Sequence, residues 1–384
     1  MASFNFEIGR LPAEAEDLRR EVRDFLAGYQ DAWSPEIRAQ SWTAVDKEFS
    51  RELGRRAWIG MTWPRRYGGA DASALQRYVV LEELLAAGAP TGGHWIGDRQ
   101  SGPLLLRAGT ESQRRRFLPA IAKGEMTFCI GMSEPGAGSD LSALSSTADA
   151  VDGGWTLNGR KVWTTNAHLA DYMIGLFRST RAAGQARHAG MSQFLIDLKS
   201  PGIQISPIHD LAGGAHFNEV TFDDVFVPAD MLVGTEGEGW AQVTAELTLE
   251  RSGPERYLSA YPLLGAVVDR AAPHADDTFV RETLGRQLAH LAVLRQMSLS
   301  VACMLESGKS PAAEAAVVKD LGNSYEQSTP EAVRELLDAA PITDPDDSTS
   351  RMLAYLIQTA PSFSLRGGTR EILRGIIARE LGLR

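Results

Sequence analysis

The chain is poor in the features that declare a chemistry at once. It has two cysteines in 384 residues. Cys129 and Cys303 each sit in apolar sequence; one disulfide is conceivable, and buried free thiols of a reducing compartment are the expectation. No run approaches the ~18 consecutive apolar residues that a membrane span requires. The first twenty residues lack the charged start and apolar stretch of a secretory signal. A cytoplasmic location with no membrane contact is therefore expected. Positive charge is also short: 39 Lys plus Arg against 49 Asp plus Glu give a net charge of −10. That balance argues against a general nucleic-acid binder, whose affinity rests on phosphate neutralisation. The run Arg114-Arg115-Arg116 reads as a solvated helix face.

Several motifs are absent. Leu141 stands where the third glycine of a dinucleotide fingerprint beginning Gly136-Ala137-Gly138 would fall. Gly308-Lys309-Ser310 ends like a phosphate loop, but Cys303 fills the earlier glycine position. Gly131-Met132-Ser133 is followed by Pro135 where a nucleophile elbow needs its closing glycine. Seven histidines show no metal-ligand spacing and no H-E-x-x-H, so no metal is expected.

What is present is a chain of 43% hydrophobic and 23% charged residues, enough for two or three domains with a sizeable core. Residues 1–125 show helical spacing, as in Leu11–Tyr29 and Leu75–Ala87. Residues 126–233 change to short β-rich runs: Met126–Met132, Trp155–Leu157, Lys161–Thr165, Tyr172–Phe177, Gln193–Leu198 and Glu219–Val227. Asn158-Gly159 between two of them predicts a hairpin turn. Helical spacing returns over 234–384. Strands are not interleaved with helices, so the pattern predicts an α+β multidomain fold: an N-terminal helical domain, a central antiparallel β domain and a C-terminal helical domain.

Three segments carry a resemblance. Ile130-Gly131-Met132-Ser133-Glu134-Pro135-Gly136-Ala137-Gly138-Ser139-Asp140 resembles a signature of the acyl-CoA dehydrogenases. Leu157-Asn158-Gly159-Arg160-Lys161-Val162-Trp163-Thr164-Thr165-Asn166 resembles the second, and Gly367-Gly368-Thr369-Arg370-Glu371-Ile372-Leu373-Arg374 the C-terminal one. They occur in family order and spacing over nearly the whole chain. The resemblance implies a C-terminal four-helix bundle, FAD as cofactor, an acyl-CoA substrate and an electron-transfer flavoprotein as electron acceptor. It assigns Met132, Ser133, Trp163 and Thr165 to the flavin ring, which must be held flat and dry. Ser139 is assigned to the pantetheine arm, and Thr91, Gly92 and Trp95 to the floor of the acyl pocket. Thr369 and Glu371 belong to the helix start expected to face the FAD pyrophosphate. The resemblance gives the Gly367 N–H to the thioester carbonyl, where it would stabilise enolate-like charge.

The chain departs from a common family pattern at the base. Many members carry the catalytic glutamate at the position that is Gly367 here, and glycine takes no proton. Isovaleryl- and long-chain-type relatives carry it in a Glu-Arg pair on an earlier helix, which Glu250-Arg251 matches. Laying residues 240–261 on one helix, expected to open locally at Pro254, which has no N–H for the Glu250 carbonyl, puts Trp240, Val243, Leu247, Pro254, Leu258 and Tyr261 on one stripe. Glu250 falls inside that stripe, and Glu255 faces the opposite way. A buried carboxylate is costly unless it is paired or functional. Glu250 is therefore the candidate base, against a salt bridge to Arg251 or Arg256. The family's adenosine-binding loop is replaced by Leu337 through Pro345, which makes a hetero-oligomer as open as a homo-oligomer; with Gly367 it also leaves a non-catalytic FAD-completing subunit as an alternative, and a flavin oxidase of the same fold is a further one.

Overall fold

The computed structural model describes residues 4–29, 31–180, 186–249, 251–337 and 346–383, the side chains of 246–249 excepted. Glu250 lies outside the described residues, and so does the 338–345 stretch of the loop singled out above. Helices occupy the N-terminal region, strands the middle and helices the C-terminal region. The residues group into two compact units: Val45–Ala72 with Thr91–Leu247, and Met1–Ala44 with Ser73–Pro90 and Thr248–Arg384.

The first unit holds eight strands: β1 (Phe128–Gly131), β2 (Thr147–Val151), β3 (Gly154–Thr165), β4 (Tyr172–Arg178), β5 (Met191–Asp197), β6 (Ile203–Ile208), β7 (Phe217–Pro228) and β8 (Leu232–Val233). Their order is β6-β7-β3-β2-β4-β5-β8, with β1 beside β4. Pairing is antiparallel except between β1 and β4 and at the single β2–β4 step from Thr147 to Arg178. The long connection from β1 through β2 and β3 allows that parallel pairing. The core lies under alternating residues such as Leu157, Met173, Phe177, Phe194 and Val220, all buried.

One turn is not where the sequence suggested. β3 runs unbroken through Asn158-Gly159, and the hairpin between β2 and β3 turns at Asp152-Gly153, closed by the Val151–Gly154 pair. Asp-Gly is an equally good two-residue hairpin turn. Asn158-Gly159 instead forms a bulge against β7, where the register shifts between Leu157 and Gly159. Gly159 has φ +138°, and a Cβ there would lie 2.2 Å from the Ser146 hydroxyl oxygen. The Asn158 side chain accepts from the Asp224 N–H and donates to its carboxylate, both at 2.9 Å.

In the second unit, helices from both ends of the chain pack together. Glu82 and Glu83 on helix Ala74–Ala86 are buried and fully paired. Arg19 of helix Ala13–Ala27 reaches both, Arg295 of helix Thr278–Glu306 holds Glu82 at 2.7 Å, and Arg23 holds Glu83 at 2.7 Å. Helix Thr278–Glu306 packs against Ala312–Leu336, and Ser348–Thr359 and Arg370–Glu380 pack against the latter.

The helix laid over 240–261 is interrupted before Pro254, and the interruption is wider than a local opening. A helix spans Gly239–Leu249, a 3-10 turn Pro254–Arg256 follows, and a new helix starts at Tyr261. Gly253 in extended conformation and Pro254, which has no N–H to donate, break it. The expected outward-facing Glu255 is consequently wrong: it is 1% exposed, with Oε1 3.3 Å from Arg256 Nε.

Candidate active site

The two sequence signatures of the β unit meet through one buried ion pair. Lys161 on β3 is fully buried, and its Nζ donates to Glu134 Oε1 at 2.8 Å. The same oxygen accepts from the Ser146 N–H at 3.0 Å, and the other accepts from Ser145 N–H and hydroxyl at 2.7 and 2.8 Å. Burial works to raise the Glu134 carboxyl, but Lys161 and the serine donors outweigh it and hold the group at about 2. Burial pushes the Lys161 amine down to about 8, against the pull of Glu134. The Val162 N–H donates to the Ser133 carbonyl at 2.9 Å, so Met132-Ser133 is stitched directly to the end of β3. The sequence assigns neither Glu134 nor Lys161 a role of its own. The signal for Lys161 is a charged residue in register with the inward-facing Trp155 and Leu157 of β3, a place that requires a partner.

At that strand end the register against β7 shifts again between Lys161 and Thr164. Trp163 sits in this bulge with φ +59°, a conformation an L-residue adopts only when its surroundings impose it. The bulge turns the indole outward, and it is 58% exposed. It meets Phe217 edge-on, with centroids 5.8 Å apart. Trp163 is therefore no core residue of the sheet. Met132 is different: its side chain packs on the cluster of Ala137, Leu144, Leu176, Met191 and Val243. The Ser133 and Thr165 hydroxyls are half-buried and have no protein partner among the described residues. A broad apolar face beside two available hydroxyls fits an isoalloxazine ring, which needs a flat cover and polar contacts at one edge.

Two further residues lie in the same unit. Ser139 is on the exposed loop after Ala137. Trp95 is buried in helix Gly92–Ile96, followed by a π-helical turn over Gly97–Ser101. The hydroxyls of Thr91 and Ser101 are wholly buried there without a hydrogen-bond partner.

In the helical unit, Gly367 and Gly368 have φ of +68° and +101°, which explains glycine at both. Thr369 caps helix Arg370–Glu380, accepting from the Ile372 N–H at 3.5 Å. The Glu371 carboxyl is held below the usual range first by its own backbone N–H and then by the Thr369 hydroxyl. Two of the helix's free amides are thus engaged within the chain, which leaves the Arg370 N–H and the glycine amides to an anion. Arg251 is buried. Around Gly367 the structure gathers Arg256, which the sequence offered only as a salt-bridge partner, with three residues that it did not mark. Arg256, Lys319, Arg366 and Glu326 are drawn together because the Ala312–Leu336 helix packs closely at Gly322, where a Cβ would lie 2.1 Å from the Arg256 carbonyl oxygen. Their signal was a helical stripe of Ala315, Lys319, Gly322, Glu326 and Val333, in which charged residues replace apolar ones.

Family models match in chain order: the acyl-CoA dehydrogenase N-terminal domain at residues 12–125, the middle domain at 129–225 and the C-terminal domain at 237–382. The chain is 36% identical to acyl-CoA dehydrogenase IpdE1 of Mycobacterium tuberculosis, over 96% of this chain and 98% of that protein. A solved structure described as the Tcur3481-Tcur3483 steroid ACAD superposes with a TM-score of 0.87 at 27% identity, covering 97% of this chain and 98% of that one. The ChsE4-ChsE5 complex of Mycobacterium tuberculosis gives a TM-score of 0.85 at 31% identity, covering 98% and 99%.

Proposed function

The chain belongs to the acyl-CoA dehydrogenase family, and from that premise we propose that it converts an acyl-CoA to the trans-2-enoyl-CoA and passes the electrons to an electron-transfer flavoprotein. It is an oxidoreductase with FAD as its cofactor. FAD, when bound, supplies the hydride acceptor.

The chain's own residues take the remaining tasks. Glu250 is the base that removes the α-proton, with Arg251 beside it in sequence on the substrate side. The Gly367 N–H receives the thioester oxygen, so that charge developing there meets a donor already in position. Trp163 covers the ring, and Ser133, Thr165 and the Met132-Ser133 backbone hold its polar edge. Thr369 and Glu371 serve the cofactor's phosphate side, Ser139 the pantetheine arm and Trp95 the acyl end. The observation that carries this reading is Trp163, exposed and held at positive φ by a bulge two residues before Thr165, at the strand end that the Val162 N–H ties to the Ser133 carbonyl.

We read the acyl group as bulky and steroid-derived, and the working form as an oligomer of like or unlike subunits. Support comes from similarity to a steroid enzyme and to a two-protein complex, both matched over nearly the full chain. A non-catalytic partner subunit is the second reading, favoured by Gly367 in the place of the common base. The test is to purify the chain and add a panel of acyl-CoAs, steroid side-chain thioesters included, without oxygen. The flavin should bleach with wild type and not with Glu250→Gln. Absence of bleaching with every thioester would favour the partner-subunit reading, and rapid reoxidation by air an oxidase.

A further inference from the structure

The Gly367 peptide lies against two buried basic side chains, Arg256 and Lys319. A Cβ at Gly367 would stand 3.2 and 3.4 Å from the two terminal nitrogens of Arg256 and 3.1 Å from Lys319 Cε. Arg256 turns its Nε toward Glu255, at 3.3 Å, and its terminal nitrogens toward the glycine. Glu326, also buried, is occupied otherwise: it accepts from the Ser259 N–H and from Arg366, each at 2.9 Å. Lys319 is 0% exposed, and its one hydrogen bond is a long one of 3.4 Å to Asn323 Oδ1. Among the described residues no carboxylate pairs with it, and Asn323 Nδ2 is a second buried donor without an acceptor.

Lys319 reports the field at this place. Burial first, then the charges of Arg256 and Arg366, push its amine down to about 6, with Glu326 opposing and Arg251 adding to the effect. The charges of Arg256 and Arg366, which add to burial at Lys319, are what favour a negative charge arriving nearby.

We propose that Arg256 is a positioning residue for the reaction: it backs the Gly367 peptide, holds its left-handed conformation and makes its N–H a better donor to the thioester oxygen as charge develops there. This rests on the assignment of the Gly367 N–H made above. Arg256 does not touch substrate; it acts through the peptide.

The test reads the carbonyl rather than turnover alone. The holoenzyme is loaded with a 1-13C-labelled enoyl-CoA product, and the infrared carbonyl stretch of the bound ligand is recorded. In wild type it should lie below its value in solution. In Arg256→Gln it should move back toward the solution value, and kcat for bleaching should fall roughly tenfold or more with KM little changed, a smaller loss than removal of a direct oxyanion donor. Because Arg256→Gln removes a charged neighbour of the buried Glu255, Glu255→Gln/Arg256→Gln is measured beside it. Arg256→Lys, which keeps the charge, should recover most of the shift. A stretch that stays at the wild-type position in the double variant overturns the proposal while leaving the activity intact. Absence of bleaching by wild type with every acyl-CoA takes down the activity reading and this one together.

Discussion

At the scale of single residues, two positions decide most. Gly367 occupies the place where many relatives carry their base, and its surroundings argue that a carboxylate there would be a poor one. Any side chain would start from a left-handed backbone, costing about 1–2 kcal/mol, with its Cβ aimed at Arg256 and Lys319. The Arg256 guanidinium would hold a carboxylate ionised and lower its pKa, the opposite of what a base working near neutrality needs. Moving the base, by Glu250→Gly with Gly367→Glu, should therefore leave flavin bleaching near the level of Glu250→Gly alone. Recovery to more than about a tenth of the wild-type rate, little over 1 kcal/mol short of full barrier lowering, would contradict this account. Trp163 makes the second case. Since the indole is exposed in its own unit, Trp163→Ala should leave the melting temperature of the FAD-free protein unchanged. It should weaken FAD binding roughly fivefold to tenfold, the worth of one aromatic stacking contact. Titration of the apoprotein with FAD, followed by quenching of the flavin fluorescence, measures it. Equal affinities would remove Trp163 from the cofactor's surroundings.

At the scale of elements, the Glu134–Lys161 pair joins the β1 exit to β3. Glu134 is held well below its ordinary 4.5, so its contribution to stability is complete above that value and is lost as pH falls toward about 2. Glu134→Gln should cost about 3–5 kcal/mol near neutral pH, because Lys161 stays buried without its counter-charge. It should also flatten the acid limb of the melting-temperature profile. Thermal melts from neutral pH down to pH 2 check both, and an unchanged acid limb would show that the pair does not carry this part of the pH dependence. The same elements show what was legible in the sequence. Helix, sheet and helix regions could be read because periods of 3.6 and 2 leave a mark in every segment. The turn at Asp152-Gly153 could not be told from the Asn158-Gly159 bulge, since both dipeptides suit positive φ and only pairing with β7 distinguishes them. Glu255 was misassigned because helical geometry was carried through Gly253-Pro254. The cluster at Gly367 stayed hidden because it depends on helix Ala312–Leu336 packing with Gly322, far along the chain, against Arg256, which no local pattern encodes.

At the scale of the whole molecule, helix Thr278–Glu306 stands out. Its mean hydropathy over 18 residues is 1.5, as high as a membrane-spanning helix, and a third of that window is buried. Its inward residues, Leu294, Leu299 and Val301 among them, explain part of that hydropathy as core. The same helix also carries apolar side chains that face outward: Phe279 and Val293 are 52% and 57% exposed. Fourteen residues apart, they fall within about 40° of each other around the helix. Apolar residues of this size on one exposed face mark a surface that a further subunit covers. The chain should therefore scatter light as an oligomer, by itself or when co-expressed with an unlike partner. Phe279→Glu with Val293→Glu should lower that mass to a single chain and leave the melting behaviour of the separate chain intact, since neither side chain is buried. A wild-type chain that stays monomeric while binding FAD and bleaching with substrate would mean that this face serves no subunit contact, and the apolar excess of the helix would then need another cause.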